Sequence, residues 1–152
     1  MAKPYRHGIY DMRAADAWTW RWPDLDLEVR VSTDVAAIWA MHRQKRWQKE
    51  RGGQLFAIGE PDGAVRLVLA TPPHRDDRAG WTWLELDPTR CAHEIARENA
   101  RGLRYVGTWH THPQIVPHIS STDIAALSMS GRINKNLLPS CLAVIVGNSG
   151  AS

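Results

Sequence analysis

Tyr105-Val106-Gly107-Thr108-Trp109-His110-Thr111-His112-Pro113 decides how this chain folds, because it reads as a buried strand stopped by a proline. Side chains two apart on a strand share a face, so His110 and His112 converge on one ion while Thr111 faces away. The chain continues Gln114-Ile115-Val116-Pro117-His118-Ile119, a loop with a second proline, and then Ser120-Ser121-Thr122-Asp123, which is rich in helix-capping residues. The apolar spacing of Ile124, Ala125 and Leu127 predicts a helix starting there, with Ser120 and Asp123 on one face of its first turn. Two imidazole nitrogens and one carboxylate oxygen form a three-ligand zinc set whose fourth position stays open to water, as in catalytic rather than structural sites. His118, inside the loop, is read as a solvent or substrate-side residue, since a fourth ligand would displace that water. Zinc brings the pKa of a bound water to about 7, and the chemistry then needs a proton shuttle.

The shuttle is sought upstream, in Glu50-Arg51-Gly52-Gly53-Gln54-Leu55-Phe56, where a carboxylate precedes a glycine pair and an apolar strand. Glu60 is the rival base, but it stands in the turn sequence Glu60-Pro61-Asp62-Gly63 and lacks the following glycines. With Glu50, the glycine pair, His110-x-His112-Pro113 and, seven residues beyond His112, Ser120-x-x-Asp123, the chain resembles the JAMM (Jab/MPN/Mov34) metallopeptidases. The likeness runs from about residue 25 to the end and departs from the pattern at Ala57, where a glycine is common.

The resemblance implies an α/β fold of JAMM/MPN, cytidine-deaminase-like type, a curved, mostly antiparallel mixed sheet flanked by helices. It implies that His110, His112 and Asp123 bind one Zn2+ per chain, that Glu50 acts as general base and then acid, and that Ser120 stabilises the oxyanion. It also implies a zinc isopeptidase or peptidase cleaving after the C-terminal tail of a ubiquitin-like protein, in a bacterial, anti-phage conjugation pathway whose other enzymes are further partners. The runner-up substrates are sulfur-carrier proteins and cell-wall peptides. A non-catalytic MPN-type interaction module is the rival class, and a nucleic-acid-associated RadC-type member ranks below it. Gly52, Gly53, Thr71, Trp81 and Gln114 are the expected substrate contacts, with the polar loop 71–80 and the strand edge after it receiving an extended tail by strand addition.

The rest of the chain alternates strands and helices. Residues 1–24 read as an N-terminal extension in which Trp18, Trp20 and Trp22 share one strand face and pack on the core, or else dock a partner; residues 25–152 form the main domain. Residues 25–31 read as a strand, Ser32-Thr33-Asp34 caps a helix carrying Val35, Ile38, Trp39 and Trp47, and that helix is expected to reach almost to Gly52. Residues 54–59 and 65–70 form a hairpin, 81–86 a strand, and Asp87-Pro88 opens a helix that Gly102 stops. Residues 140–146 are a last buried strand.

A length of 152 residues suits about one domain. No apolar stretch or leader pattern suggests export or a membrane span, so a cytoplasmic protein is expected. Cys91 and Cys141 stand far apart, which suits reduced core thiols rather than a disulfide framework. The net charge of +3 is dispersed, and its densest run, residues 42–49, reads as the solvated end of a helix, so neither nucleic acid nor a membrane is expected as partner.

Overall fold

The structure, a computed structural model, describes residues 15–45, 47–112, 124–130 and 141–147. Its chain order is β1 (Asp16–Trp22), β2 (Leu27–Ser32), α1 (Thr33–Met41), β3 (Gly52–Gly59), β4 (Val65–Ala70), β5 (Arg78–Ala79), β6 (Leu84–Glu85), α2 (Pro88–Ala100), β7 (Arg104–Thr111), β8 (Ile124–Ser130) and β9 (Cys141–Val146). Seven strands make one sheet in the order β1-β2-β4-β3-β7-β9-β8, and β5 and β6 form a small separate ribbon. Only β2–β4 and β7–β9 pair in parallel within the large sheet, which is therefore mixed and mostly antiparallel, as expected.

The helix starts follow from their caps. Ser32 Oγ accepts from the Val35 amide at 3.2 Å, and Asp87 accepts from the Arg90 amide at 2.8 Å with Pro88 in the first turn. The helices serve two cores. Trp39 and Val35 of α1 lie among Val31, Leu55, Leu67 and Trp109, whereas Ile95 of α2 packs beside Phe56, Val68 and Leu103. Alternation along β3 explains this division, since Leu55 and Ala57 join the first cluster and Phe56 the second. Ala57 is fully buried where β3 slips register against β4, and the neighbouring slip against β7 falls between Leu55 and Phe56.

Three expectations are corrected. The capped helix ends at Met41, where the His42 ring meets the Ile38 carbonyl at 2.9 Å, so Trp47 and the basic run lie in a loop. That loop is held by buried Gln44, which donates to the carbonyls of Gln48 and Trp81, bonds that a continued helix would not allow. Ile124–Ser130 is a strand antiparallel to β9, not a helix; so short an apolar run satisfies both periods, and the β9 edge decides between them. The strand expected over 81–86 shortens to Leu84–Glu85. The tryptophan stripe sits on β1, the edge strand, and Trp18, Trp20 and Trp22 are half-buried against the α1 core, with Trp18 and Trp20 rings each 6.0 Å from Trp39. No helix among the described residues is long and apolar enough to cross a membrane.

Candidate metal centre

The centre of the sheet brings the two halves of the sequence motif together. Antiparallel pairing of β3 with β7 sets Gly52 opposite His110 and Gly53 opposite Trp109. Glu50, just before β3, therefore reaches the end of β7, where its Oε1 lies 4.0 Å from His112 Nε2. The His110 and His112 rings stand 5.8 Å apart. Thr111 faces away, as expected, and is fully buried: its Oγ1 accepts from the Arg51 amide at 2.9 Å and donates to Gln44 Oε1 at 3.0 Å. The residue between the imidazoles thus ties their strand to the Glu50 loop.

The glycine pair is a requirement of close approach. A Cβ on Gly52 would come within 2.2 Å of the Trp109 carbonyl oxygen, and one on Gly53 within 2.0 Å of the Thr71 carbonyl oxygen. Only hydrogen fits at both places, so β3 can lie against β7 and the 71–80 loop at once.

Glu50 is 4% exposed and makes its backbone bond to the Gly80 carbonyl at 2.8 Å. Burial pushes its carboxyl above the usual carboxylate range, and the His112 charge partly offsets this. Burial also lowers the pKa of His110, and His112 lowers it further, which favours the neutral, ligating imidazole. Glu50, Thr108 and His110, together with Trp83, Leu84 and Leu86, line an open cleft of about 360 Å³. A water-accessible hollow with one buried carboxyl, an imidazole and an apolar wall is suited to proton transfer on a bound polar substrate.

No three His, Cys, Asp or Glu side chains among the described residues close on a common point. The donor chemistry nevertheless fits zinc, because two imidazoles stand 5.8 Å apart at the end of one strand and a carboxyl lies beside them without being spent as a ligand. Asp123, the expected third ligand, lies outside the described residues, as do Ser120, Gln114 and His118. The rival base Glu60 is engaged elsewhere, in an ion pair with Arg66 at the β3–β4 turn.

The expected substrate contacts separate. Gly52 and Gly53 are buried in the sheet, and Trp81 is largely exposed. Thr71 is 1% exposed, with its hydroxyl accepting from the Gln54 amide and its carbonyl from Trp109 Nε1, so it braces β3 from within instead of facing a groove. The loop it opens is correspondingly not wholly on the surface: Asp77 is almost enclosed, and it binds Arg90. Sequence reasoning passed over Arg90, Glu94 and Gln54. A signal was present, since α2 carries too few apolar residues to bury a face and must bury paired charges instead.

The family model for prokaryotic homologs of the JAB domain matches residues 32–152. Over 111 residues the chain is 31% identical to an Escherichia coli (strain TW11681) protein named CD-NTase/cGAS isopeptidase, a match covering 70% of each.

Proposed function

The chain belongs to the family of prokaryotic homologs of the JAB domain, and from that premise we propose that it is a zinc-dependent isopeptidase. Its substrate in this reading is a conjugate or precursor in which the C-terminal tail of a ubiquitin-like protein ends at the scissile amide. The name of the Escherichia coli relative suggests a conjugate within a CD-NTase/cGAS pathway, and we extend this to a bacterial anti-phage role. The reaction is set in the cytoplasm, where Cys91 and Cys141, both unbridged, stay reduced.

One observation carries the reading: a buried carboxyl, Glu50, stands 4.0 Å from His112 and lines a cleft together with a second imidazole, His110. His110, His112 and Asp123 would hold the ion, which when bound supplies Lewis acidity and lowers the pKa of water. Glu50 takes a proton from the attacking water, its raised proton affinity bringing the carboxyl nearer to neutral pH. It then returns that proton to the departing amine nitrogen. Ser120 donates a hydrogen bond where negative charge develops on the carbonyl oxygen. Trp83, Leu84 and Leu86 keep the cleft apolar on one side, which strengthens each of these interactions.

The test is cleavage of ubiquitin-like fusions and isopeptide conjugates by purified protein, with and without zinc. About one zinc per chain and cleavage that stops on chelation are expected. Full activity in metal-free protein would overturn the reading.

A further inference from the structure

Helix α2 turns a charged stripe toward the sheet: Arg90, Glu94 and Glu98 are its buried residues. Arg90 is the cation at its head, with a side chain 3% exposed and every arm engaged. Its Nε and Nη2 donate to the two carboxylate oxygens of Asp77, at 3.1 and 2.8 Å. Its Nη1 donates to both oxygens of Glu94, each at 2.9 Å, and to Thr71 Oγ1 at 3.0 Å. The remaining bond runs from Nη2 to the Gly52 carbonyl at 3.0 Å.

We propose that Arg90 is the positioning residue of the general base, an inference that rests on the hydrolase reading above. Gly52 is two residues from Glu50 and is the register partner of His110, so a cation on its carbonyl fixes where β3 meets the imidazole strand. A second fastening of Glu50 is the bond from its amide to Gly80, and the loop that carries Gly80 is pinned through Asp77 to the same guanidinium. Two restraints on the base therefore trace to one side chain, beside the Arg51–Thr111 bonds that dock the same loop on β7. Charge-assisted bonds of this kind are short and directional, and they hold a carbonyl more firmly than packing does. A lysine at this position offers one point of charge where the site uses a planar fork, so the conservative change should loosen the site.

The experiment compares wild-type protein with Arg90→Lys, and with Arg97→Ala on the exposed side of the same helix as control. The readouts are kcat and KM for a ubiquitin-like fusion, zinc content, and amide exchange along the chain. Arg90→Lys should lose about 10- to 100-fold in kcat with KM within about twofold and zinc retained, as expected when a reacting group is displaced by a fraction of an ångström. Exchange at the amides of Glu50 and Gln54 should quicken about tenfold while Val29 and Val31 in β2 keep their rates, a local opening rather than global unfolding. Adding millimolar guanidinium to Arg90→Ala should restore part of kcat. Unchanged kcat, or exchange that quickens evenly across the sheet, would overturn the proposal. If Arg90→Ala and Arg90→Lys fail to fold because Asp77 and Glu94 are left buried without a cation, the combined Arg90→Met, Asp77→Asn, Glu94→Gln variant takes their place with the same readouts. A parent protein that cleaves nothing defeats the hydrolase reading alone, because the exchange pattern still decides whether Arg90 holds the Glu50 backbone.

Discussion

The margin of the sheet and its centre are built on opposite principles. At the margin, β1 and β2 fold over α1 through Trp18, Trp20 and Trp39, and the indole N–H groups of Trp18 and Trp39 are buried without a partner. At the centre, β3 and β7 meet around Gln54, Thr71, Thr111 and Arg90, whose polar groups are bonded across several segments of chain. The margin tolerates unsatisfied donors because apolar area dominates there. The centre tolerates none of them at those four residues, since its task is to hold backbone at a set distance from imidazoles. The contrast teaches that stability and precision reside in different strands of one sheet.

Four substitutions test that division. Glu50→Gln should lose about 1,000-fold in kcat, in keeping with the loss of a general base and acid, while zinc content persists. Its melting temperature should hold or rise, because burial already disfavours the charged carboxyl; a large drop in stability would make Glu50 a structural residue. Trp39→Ala, at the margin, should cost about 4 kcal/mol in denaturant unfolding, as for large aromatic truncations, yet leave kcat of the folded fraction near wild type. Loss of zinc from still-folded Trp39→Ala protein would show that the two regions are coupled. Gly53→Ala should cost about 3 kcal/mol, since its Cβ meets the Thr71 backbone and not a movable side chain, and it should lower kcat as well.

Asp77→Asn gives the smallest effect, about 2 kcal/mol at neutral pH from a weakened charged bond. Burial of Asp77 would raise its pKa, but the Arg90 guanidinium and the amides of Asp87 and His74 hold the carboxyl below its ordinary 3.8. A depressed folded-state value contributes stability above the unfolded pKa and loses it as pH falls through the folded one. Urea midpoints between neutral pH and pH 2 should therefore fall less steeply in Asp77→Asn than in wild type. Parallel acid limbs in the two proteins would remove Asp77 from the acid response.

The parts of the candidate site that were legible in the sequence are local ones. The strand carrying His110 stops at Thr111, the His110 and His112 rings stand 5.8 Å apart, and Gly52-Gly53 marks a close approach, each readable without knowledge of the fold. Ser32 and Asp87 announced their helices for the same reason. The parts that were not legible depend on partners distant in the chain. Gln44 stops α1 by capturing the Trp81 carbonyl, 37 residues away, which no helix propensity encodes. Thr71 looked like the start of a surface loop and is a brace, because Gln54 and Arg90 reach it from other elements. Arg90 and Glu94, spaced as an exposed ion pair would be, are buried because Asp77 and Gly52 complete their bonds.

The pairing of the Glu50 loop with the imidazole strand also bears on when the protein becomes active. The Arg51 amide and the Thr111 hydroxyl that bind these segments are 60 residues apart in sequence. Contacts of such long range carry a closure entropy that local hairpins avoid, so the β3–β4 hairpin and both helices are expected to form before them. A chain still leaving the ribosome would then keep Glu50 apart from His110 and His112 until the β7 strand emerges and docks, so the candidate site is completed late in folding. Pulse-labelled exchange during refolding checks this: protection of the Arg51 and Thr111 amides should lag behind that of the β3–β4 hairpin, and simultaneous protection would refute the order.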